Sequence, residues 1–214
     1  MKVFVVGANG QIGQHLVHLL NQSSEFEVKA MVRSQKQQKE LTSKGIEAVV
    51  ASLEGTVEEI ASAAEGTDVI IFTAGSGAST GDDKTLLVDL DGAVKTIEAA
   101  EKNGIDRFVM VSAIQAHNRE NWSQVIKPYF VAKHYADRIL RTSSLNYTIV
   151  RPGGLTNDEG TGKVQVAENL NRGSIPREDV AATLISVLNE KNTYRRSFDL
   201  TSGNQSITEA IKSL

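Results

Sequence analysis

Met1-Lys-Val-Phe-Val-Val-Gly-Ala-Asn-Gly-Gln-Ile-Gly13 runs a short apolar strand into three glycines spaced G-x-x-G-x-x-G, and then into an amphipathic helix. The arrangement is built to hold a pyrophosphate. Gly7 can take the backbone angles of a tight strand-to-helix turn, Gly10 lets the main chain approach an anion with no Cβ in the way, and Gly13 lets helix and strand pack closely. The unpartnered first amides of the helix, at the positive end of its dipole, then face the phosphates. A plain βα turn is the bland alternative, and the flanking strand and helix count against it.

Working outward, strand and helix patterns alternate to the end of the chain. Apolar, β-branched runs at Lys2 to Val6, Phe26 to Val32, Glu47 to Ala51, Val69 to Phe72, Arg107 to Val111, Tyr147 to Arg151 and Ser197 to Leu200 read as strands buried on both faces of a parallel sheet. Helical patterns fill Gln11 to Asn21, Gln35 to Ser43, Val57 to Ala64, Lys84 to Asn103, Pro128 to Ser143 and Arg177 to Asn189. Gly45, Gly66 and Gly104 each follow a helix where a left-handed cap is wanted. The expectation is an α/β fold, a doubly wound parallel sheet of the Rossmann type with seven strands in order 3-2-1-4-5-6-7. Ligands then belong above the strand carboxyl ends. Residues 153 to 176 turn to Gly, Asn, Thr and Glu and read as a long loop or lid on a single domain spanning the chain.

Bulk properties narrow the function classes. The 214 residues contain no cysteine, which removes disulfides and thiolate metal sites. No apolar run reaches the roughly 18 residues of a membrane span and no cleavable leader opens the chain, so cytoplasmic residence is expected. A net charge of −3 offers no basic face for nucleic acid. The expected partner is a small-molecule substrate, with neither nucleic acid nor membrane.

The second strand ends in Arg33, at the place where an acidic residue would grip the adenosine ribose of NAD. A guanidinium there complements a 2′-phosphate, with Ser34 as a further donor, so NADP (NADPH) is expected ahead of NAD, as a preference rather than an exclusivity. An exposed arginine at a strand end is the bland alternative. Thr73, Ala74 and Gly75, followed by Ser76-Gly77-Ala78, are small residues after strand four that let a dinucleotide pass close to backbone. Tyr129-Phe-Val-Ala-Lys133 places a phenol and an ammonium on one helix face. The cation is expected to favour the phenolate and lower the tyrosine pKa from about 10.

These motifs, together with Arg107-Phe-Val-Met-Val-Ser112 and Tyr147-Thr-Ile-Val-Arg-Pro-Gly-Gly154, resemble the short-chain dehydrogenase/reductase superfamily. More narrowly they resemble its atypical NAD(P)H-binding, NmrA-like and flavin or biliverdin reductase-like members. The resemblance implies nucleotide contacts from Gly7, Asn9, Gly10, Gln11, Ile12 and Gly13, with Arg33 and Ser34 at the adenosine end and Leu53 near adenine. It places Ser112 and Lys133 near the nicotinamide ribose, and Pro152, Gly153 and Leu155 near the nicotinamide. There are departures. Ala51-Ser52-Leu53 stands where relatives have Gly-Asp-Leu, Asp89 where extended members often carry asparagine, and Ala113 where a catalytic serine or threonine is usual. The candidate catalytic set is therefore Tyr129, Lys133 and Ser112, an incomplete triad by strict alignment.

The expected function is NADPH-dependent hydride transfer to a small carbonyl, quinone or flavin-like acceptor. A dinucleotide-binding redox sensor of the NmrA-like kind is the non-enzyme alternative. Nucleotide-sugar epimerase or dehydratase chemistry is disfavoured by the short stretch after Arg151. His15 and His18 share a helix face without carboxylates and read as surface or packing residues, whereas His117 and Trp122 read equally as pocket wall or surface loop. In Arg177-Glu-Asp-Val the charges read as a cap that fixes the lid.

Overall fold

The computed structural model describes residues 1–77 and 80–214. Ala78, part of the small-residue turn after strand four, lies outside the described residues. The chain opens β1 (Lys2–Val6), α1 (Gln11–Gln22), β2 (Glu27–Val32), α2 (Gln35–Thr42), β3 (Glu47–Val50), α3 (Val57–Ala64) and β4 (Val69–Phe72). A long helical run follows: α4 (Asp82–Lys84), a π-helical stretch (Thr85–Asp91) and α5 (Gly92–Asn103). Then come β5 (Arg107–Val111), α6 (Lys127–Thr142), β6 (Asn146–Pro152), β7 (Gly154–Thr156), β8 (Lys163–Ala167) and β9 (Ser174–Pro176). The chain closes with α7 (Arg177–Ser186), β10 (Arg196–Ser202), β11 (Gln205–Ser206) and α8 (Ile207–Lys212).

One nine-stranded sheet runs in the order β11-β8-β10-β6-β5-β4-β1-β2-β3. From β3 to β10 every pairing is parallel, the order expected from the sequence, with the seventh expected strand now β10. Period-two alternation divides the core. Val3, Val5, Val69, Ile71 and Val109 pack with Leu16, Leu20 and Leu184 on one face, while Phe4, Val6, Ile70, Phe72 and Phe108 pack with Ile60, Ile97 and Leu140 on the other. Strands hydrophobic on both faces need helices on both, which is the physical content of double winding. Gly45, Gly66 and Gly104 take φ of +76°, +75° and +67°, the left-handed caps read from the sequence.

Two expectations are corrected. The segment 153–176 is not a structureless loop: β8 pairs antiparallel with β10 and β11, and β7 pairs parallel with β9. Its signal was weak because β8 and β7 keep one side exposed, so their apolar residues are few. The Arg177-Glu-Asp cluster does fix part of this segment. Glu178 accepts from the Gly160 amide at 2.8 Å, Asp179 from the Thr161 and Gly162 amides at 3.0 and 2.8 Å, and Arg177 donates to Asn157 at 2.8 Å. The second correction concerns the helix expected over 84–103, which begins at Asp82 and widens into the π turns. Those turns bury Thr85 and Asp89 while leaving Leu86 and Leu87 exposed. Widened turns of this kind recur at functional sites, where they aim a side chain inward.

Candidate active site

The glycine turn is fixed from within the protein. Gly7 has φ +87°, and a Cβ on it would lie 2.6 Å from the Ala74 amide nitrogen, so the β1 and β4 ends can approach only with glycine there. A Cβ on Gly13 would lie 2.2 Å from the Gly7 carbonyl oxygen. Gly10 is different. A Cβ on it meets only the Gly7 carbonyl, at 3.1 Å. Gly10 caps α1 without a side-chain hydrogen bond, so the amides of Gln11, Ile12 and Gly13 open the helix with no side-chain acceptor. Thr73 pins the turn by donating from Oγ1 to the Val6 carbonyl at 3.0 Å. Ala74 and Gly75 follow it beside the glycines, and Asn9 accepts from the Gln14 side chain at 2.9 Å.

At the end of β2, Arg33 is exposed and makes no ion pair among the described residues. Ser34 accepts from the Gln37 amide at 3.3 Å as the cap of α2. Leu53 is buried after β3, against the place a Cβ on Gly92 would occupy, and Ser52 turns onto the Glu54 amide at 3.1 Å.

The chemistry-bearing residues converge over β4, β5 and α6. Lys133 is buried; its ammonium donates to the Val111 carbonyl at 3.0 Å and lies 5.8 Å from the centre of the Tyr129 ring. Asp89, equally buried, reaches it from the π turns at 3.6 Å and accepts from the Ser76 amide at 2.9 Å. Asp89 Oδ1 and the buried Ser112 Oγ have no hydrogen-bond partner among the described residues. Two orphaned buried oxygens, one of them beside a buried ammonium, are what a site awaiting hydroxyl groups of a ligand would show. Helix α6 is held in place from below by the buried pair Arg151 to Asp137, at 2.9 Å.

Burial, supported by Asp89, overturns the expected tuning of the phenol. Burial pushes the Tyr129 pKa up; Lys133 opposes this, but Asp89 and Asp137 reinforce it, and the value stands above the usual tyrosine range. Lys133 is pulled down by burial, yet Tyr129, Asp89 and Asp137 outweigh that and raise its pKa. Lys133 still favours the phenolate, but burial and the two carboxylates outweigh it, so the folded protein holds the phenolic proton more tightly than water does. In the sequence Asp89 stands out only as a departure from asparagine, and nothing in local spacing says that it meets Lys133. Substituting Asp89→Asn should leave the ammonium unbalanced and drop the phenol pKa. A reaction needing protonated Tyr129 then loses rate, as pH rises, at a lower pH in the variant than in the wild type, read from the pH profile of kcat. An unshifted profile would refute the pairing.

Pro152 and Gly153 are buried at the end of β6, and Leu155 is exposed on β7. Pro152 accepts from the Ile114 amide at 2.9 Å. Gly153 abuts the Gly173 carbonyl, 2.3 Å from where a Cβ would sit. Beside them opens a cavity of about 1020 Å³, which the sequence did not reveal because its walls come from the loops after β5 and β8 and the end of β10. Gln115 organises its floor with φ +61°, donating to the Leu170 carbonyl at 2.8 Å and to the buried Asp199 at 2.9 Å. Of the two wall candidates, His117 bonds to the cavity residue Asn169 at 2.5 Å. Trp122 instead packs with Ala116 and Phe130, its indole donating to the Ala116 carbonyl at 3.1 Å. His15 and His18 are exposed on α1. No helix among the described residues is long and apolar enough to cross a membrane.

A family model described as NAD(P)H-binding matches residues 7–191. The chain is similar to the uncharacterized sugar epimerase YhfK of Bacillus subtilis, at 63% identity over 214 residues covering all of both chains. Among solved structures it is similar to the oxidoreductase ylbE of Lactococcus lactis, at 32% identity and TM-score 0.90 over 100% of this chain and 96% of that one. It is also similar to ChuY, an anaerobillin reductase of Escherichia coli O157:H7, at 26% identity and TM-score 0.81, covering 96% and 99%.

Proposed function

The chain belongs to the NAD(P)H-binding family, and from that premise we propose that it is a cytoplasmic NADPH-dependent oxidoreductase reducing a small acceptor. The residues fit the dinucleotide. Gly10 to Gly13 offer open amides and a cradle that a Cβ would narrow, Arg33 offers a guanidinium with no ion pair among the described residues, and Ser112 and Asp89 offer buried oxygens short of hydrogen-bond partners near the Lys133 ammonium. When bound, the reduced nicotinamide supplies a hydride, so that a carbonyl carbon gains a hydrogen and two electrons while its oxygen gains a proton.

The protein's part is to hold and deliver that proton. Tyr129 carries it on the phenol oxygen, and burial keeps it there until an oxyanion forms nearby. Lys133 anchors the site through the Val111 carbonyl, while its positive charge stabilises the tyrosinate left behind. The single observation carrying this reading is the placement of Tyr129 on one face of α6 with the buried Lys133 ammonium 5.8 Å from its ring centre. A neutral phenol beside an ammonium can give its proton to a forming oxyanion, which suits reduction. An epimerase reading is invited by the name of the Bacillus subtilis relative and would begin with an oxidation in which Tyr129 accepts a proton; the reductases among the similar proteins support reduction instead. Following NADPH consumption against a panel of carbonyl, quinone and flavin acceptors tests the proposal; consumption by none of them would sink it. In favour of the sensor reading would be partner binding that differs between NADP⁺ and NADPH.

The choice of NADPH rests on Arg33. Arg33→Ala should weaken NADPH about tenfold to a hundredfold, the worth of one hydrogen bond to a charged group, and leave NADH almost unchanged. Titration of both coenzymes into both proteins measures this, and an equal loss for the two would return the preference to NAD.

A further inference from the structure

The cavity beside Pro152 and Gly153 is walled by carboxamides, which neither the hydride chemistry nor the nucleotide site uses. Asn118, Asn121, Asn169, Asn171 and Gln165 all line it. Internal bonds orient three of them. Asn121 Nδ2 donates to Gln115 at 2.8 Å, Asn169 Oδ1 meets His117 at 2.5 Å, and Asn118 Oδ1 accepts from the Glu120 amide at 3.2 Å. Asn121 Oδ1 and the amino groups of Asn118 and Asn169 are left without a protein partner among the described residues. Serines 174 and 202 add hydroxyls, and Leu170 is the one large apolar side chain among the described lining residues.

Arg172 is the one charged side chain lining the cavity among the described residues. Its guanidinium donates to the Asn121 carbonyl oxygen and lies 5.8 Å over the Phe130 ring, so it is positioned while part of its fork stays open. The nearby carboxylate, Asp199, does not counter it from within the cavity. It is fully buried, accepts from Gln115 and the Leu170 amide at 2.9 and 3.1 Å, and sits in register with Arg151 on the neighbouring strand. The left-handed Gln115 that covers it is strain of the sort folds retain at functional sites.

We infer that this cavity is the substrate-recognition site and that its ligand is a small polyhydroxylated carboxylate whose ketone or aldehyde group takes the hydride, the all-hydroxyl acid being its reduced form; as a substrate assignment this rests on the oxidoreductase reading above. Carboxamides both donate and accept, as hydroxyls do, so a wall of them matches a hydroxyl-rich skeleton. A lone planar guanidinium matches one carboxylate through paired hydrogen bonds. An apolar quinone would strand these polar groups and find little to pack against. The cavity also adjoins the end of β6: Gly154 donates to the Gly173 carbonyl at 2.8 Å, and the Thr201 methyl abuts both Gly153 and Gly173.

Calorimetry on the full chain, with and without NADP⁺, against D-gluconate, D-glucose and menadione tests the assignment. Gluconate should bind at least tenfold tighter than glucose, and menadione should not displace it. Arg172→Gln should erase the preference for the acid, whereas Arg172→Lys, which keeps the charge, should restore part of it. Equal affinity for gluconate and glucose, no heat with gluconate, or a preference untouched by Arg172→Gln would each overturn the inference. Gluconate binding to a protein that gives no heat with NADP⁺ would leave the cavity assignment standing and remove the oxidoreductase reading. NADP⁺ binding with no gluconate binding would do the reverse.

Discussion

Gly10→Val should lower NADPH affinity at least a hundredfold while the protein still folds. Gly10 has φ −72° and ψ 164°, backbone angles that any L-residue adopts, and its Cβ would touch only one protein atom, at 3.1 Å. A shift of a few tenths of an ångström relieves that contact at a cost of about 1 kcal/mol. Gly7 and Gly13 permit no such separation, because a Cβ on either would lie well inside backbone atoms of the adjoining loop or turn. The isopropyl group at position 10 would instead occupy space over the open amides of α1. Losing two hydrogen bonds to a charged pyrophosphate, at about 1.5–3 kcal/mol each, amounts to a hundredfold or more. Calorimetry reads the affinity and a thermal melt reads the fold. Wild-type affinity in a folded variant would remove the glycine turn from the binding site.

The second large effect is expected at Tyr129. Tyr129→Phe keeps the ring that packs edge-on to Phe130 at 5.9 Å and removes only the hydroxyl. Positioned general acids contribute about a hundredfold to ten-thousandfold, so kcat for carbonyl reduction should fall by that range. The alkaline fall in rate should vanish with it. In the wild type that fall belongs above the ordinary tyrosine value of about 10, because the folded protein holds the phenolic proton more tightly than water does. The same sign applies to stability. The part owed to this raised pKa is present below the unfolded value and is lost as pH climbs through the folded one. A variant with undiminished kcat would show that the acceptor takes its proton from elsewhere.

Much of the architecture was legible because it repeats locally. β-branched runs, glycines after helices and the G-x-x-G-x-x-G turn are each decided within a few residues, and parallel crossovers have one hand, so the order from β3 to β10 follows. The strand ends that carry Gly7, Arg33, Thr73 and Pro152 were legible for the same reason, since the pattern itself numbers them. The segment 153–176 was not, because strands pairing at a sheet edge with one face exposed need few apolar residues.

The amino-acid order by itself determined the doubly wound sheet, the tight glycine turn between β1 and α1 and the nearness of Tyr129 to Lys133, because each depends on neighbours along the chain or on one helix face. Only the tertiary structure decided that Asp89 meets Lys133 and, with burial, raises the phenol pKa, and that amides from two separate segments line one cavity with Arg172. Electrostatic tuning and cavity walls depend on distances between residues far apart in sequence, and those distances exist only once the sheet has gathered the strand ends together.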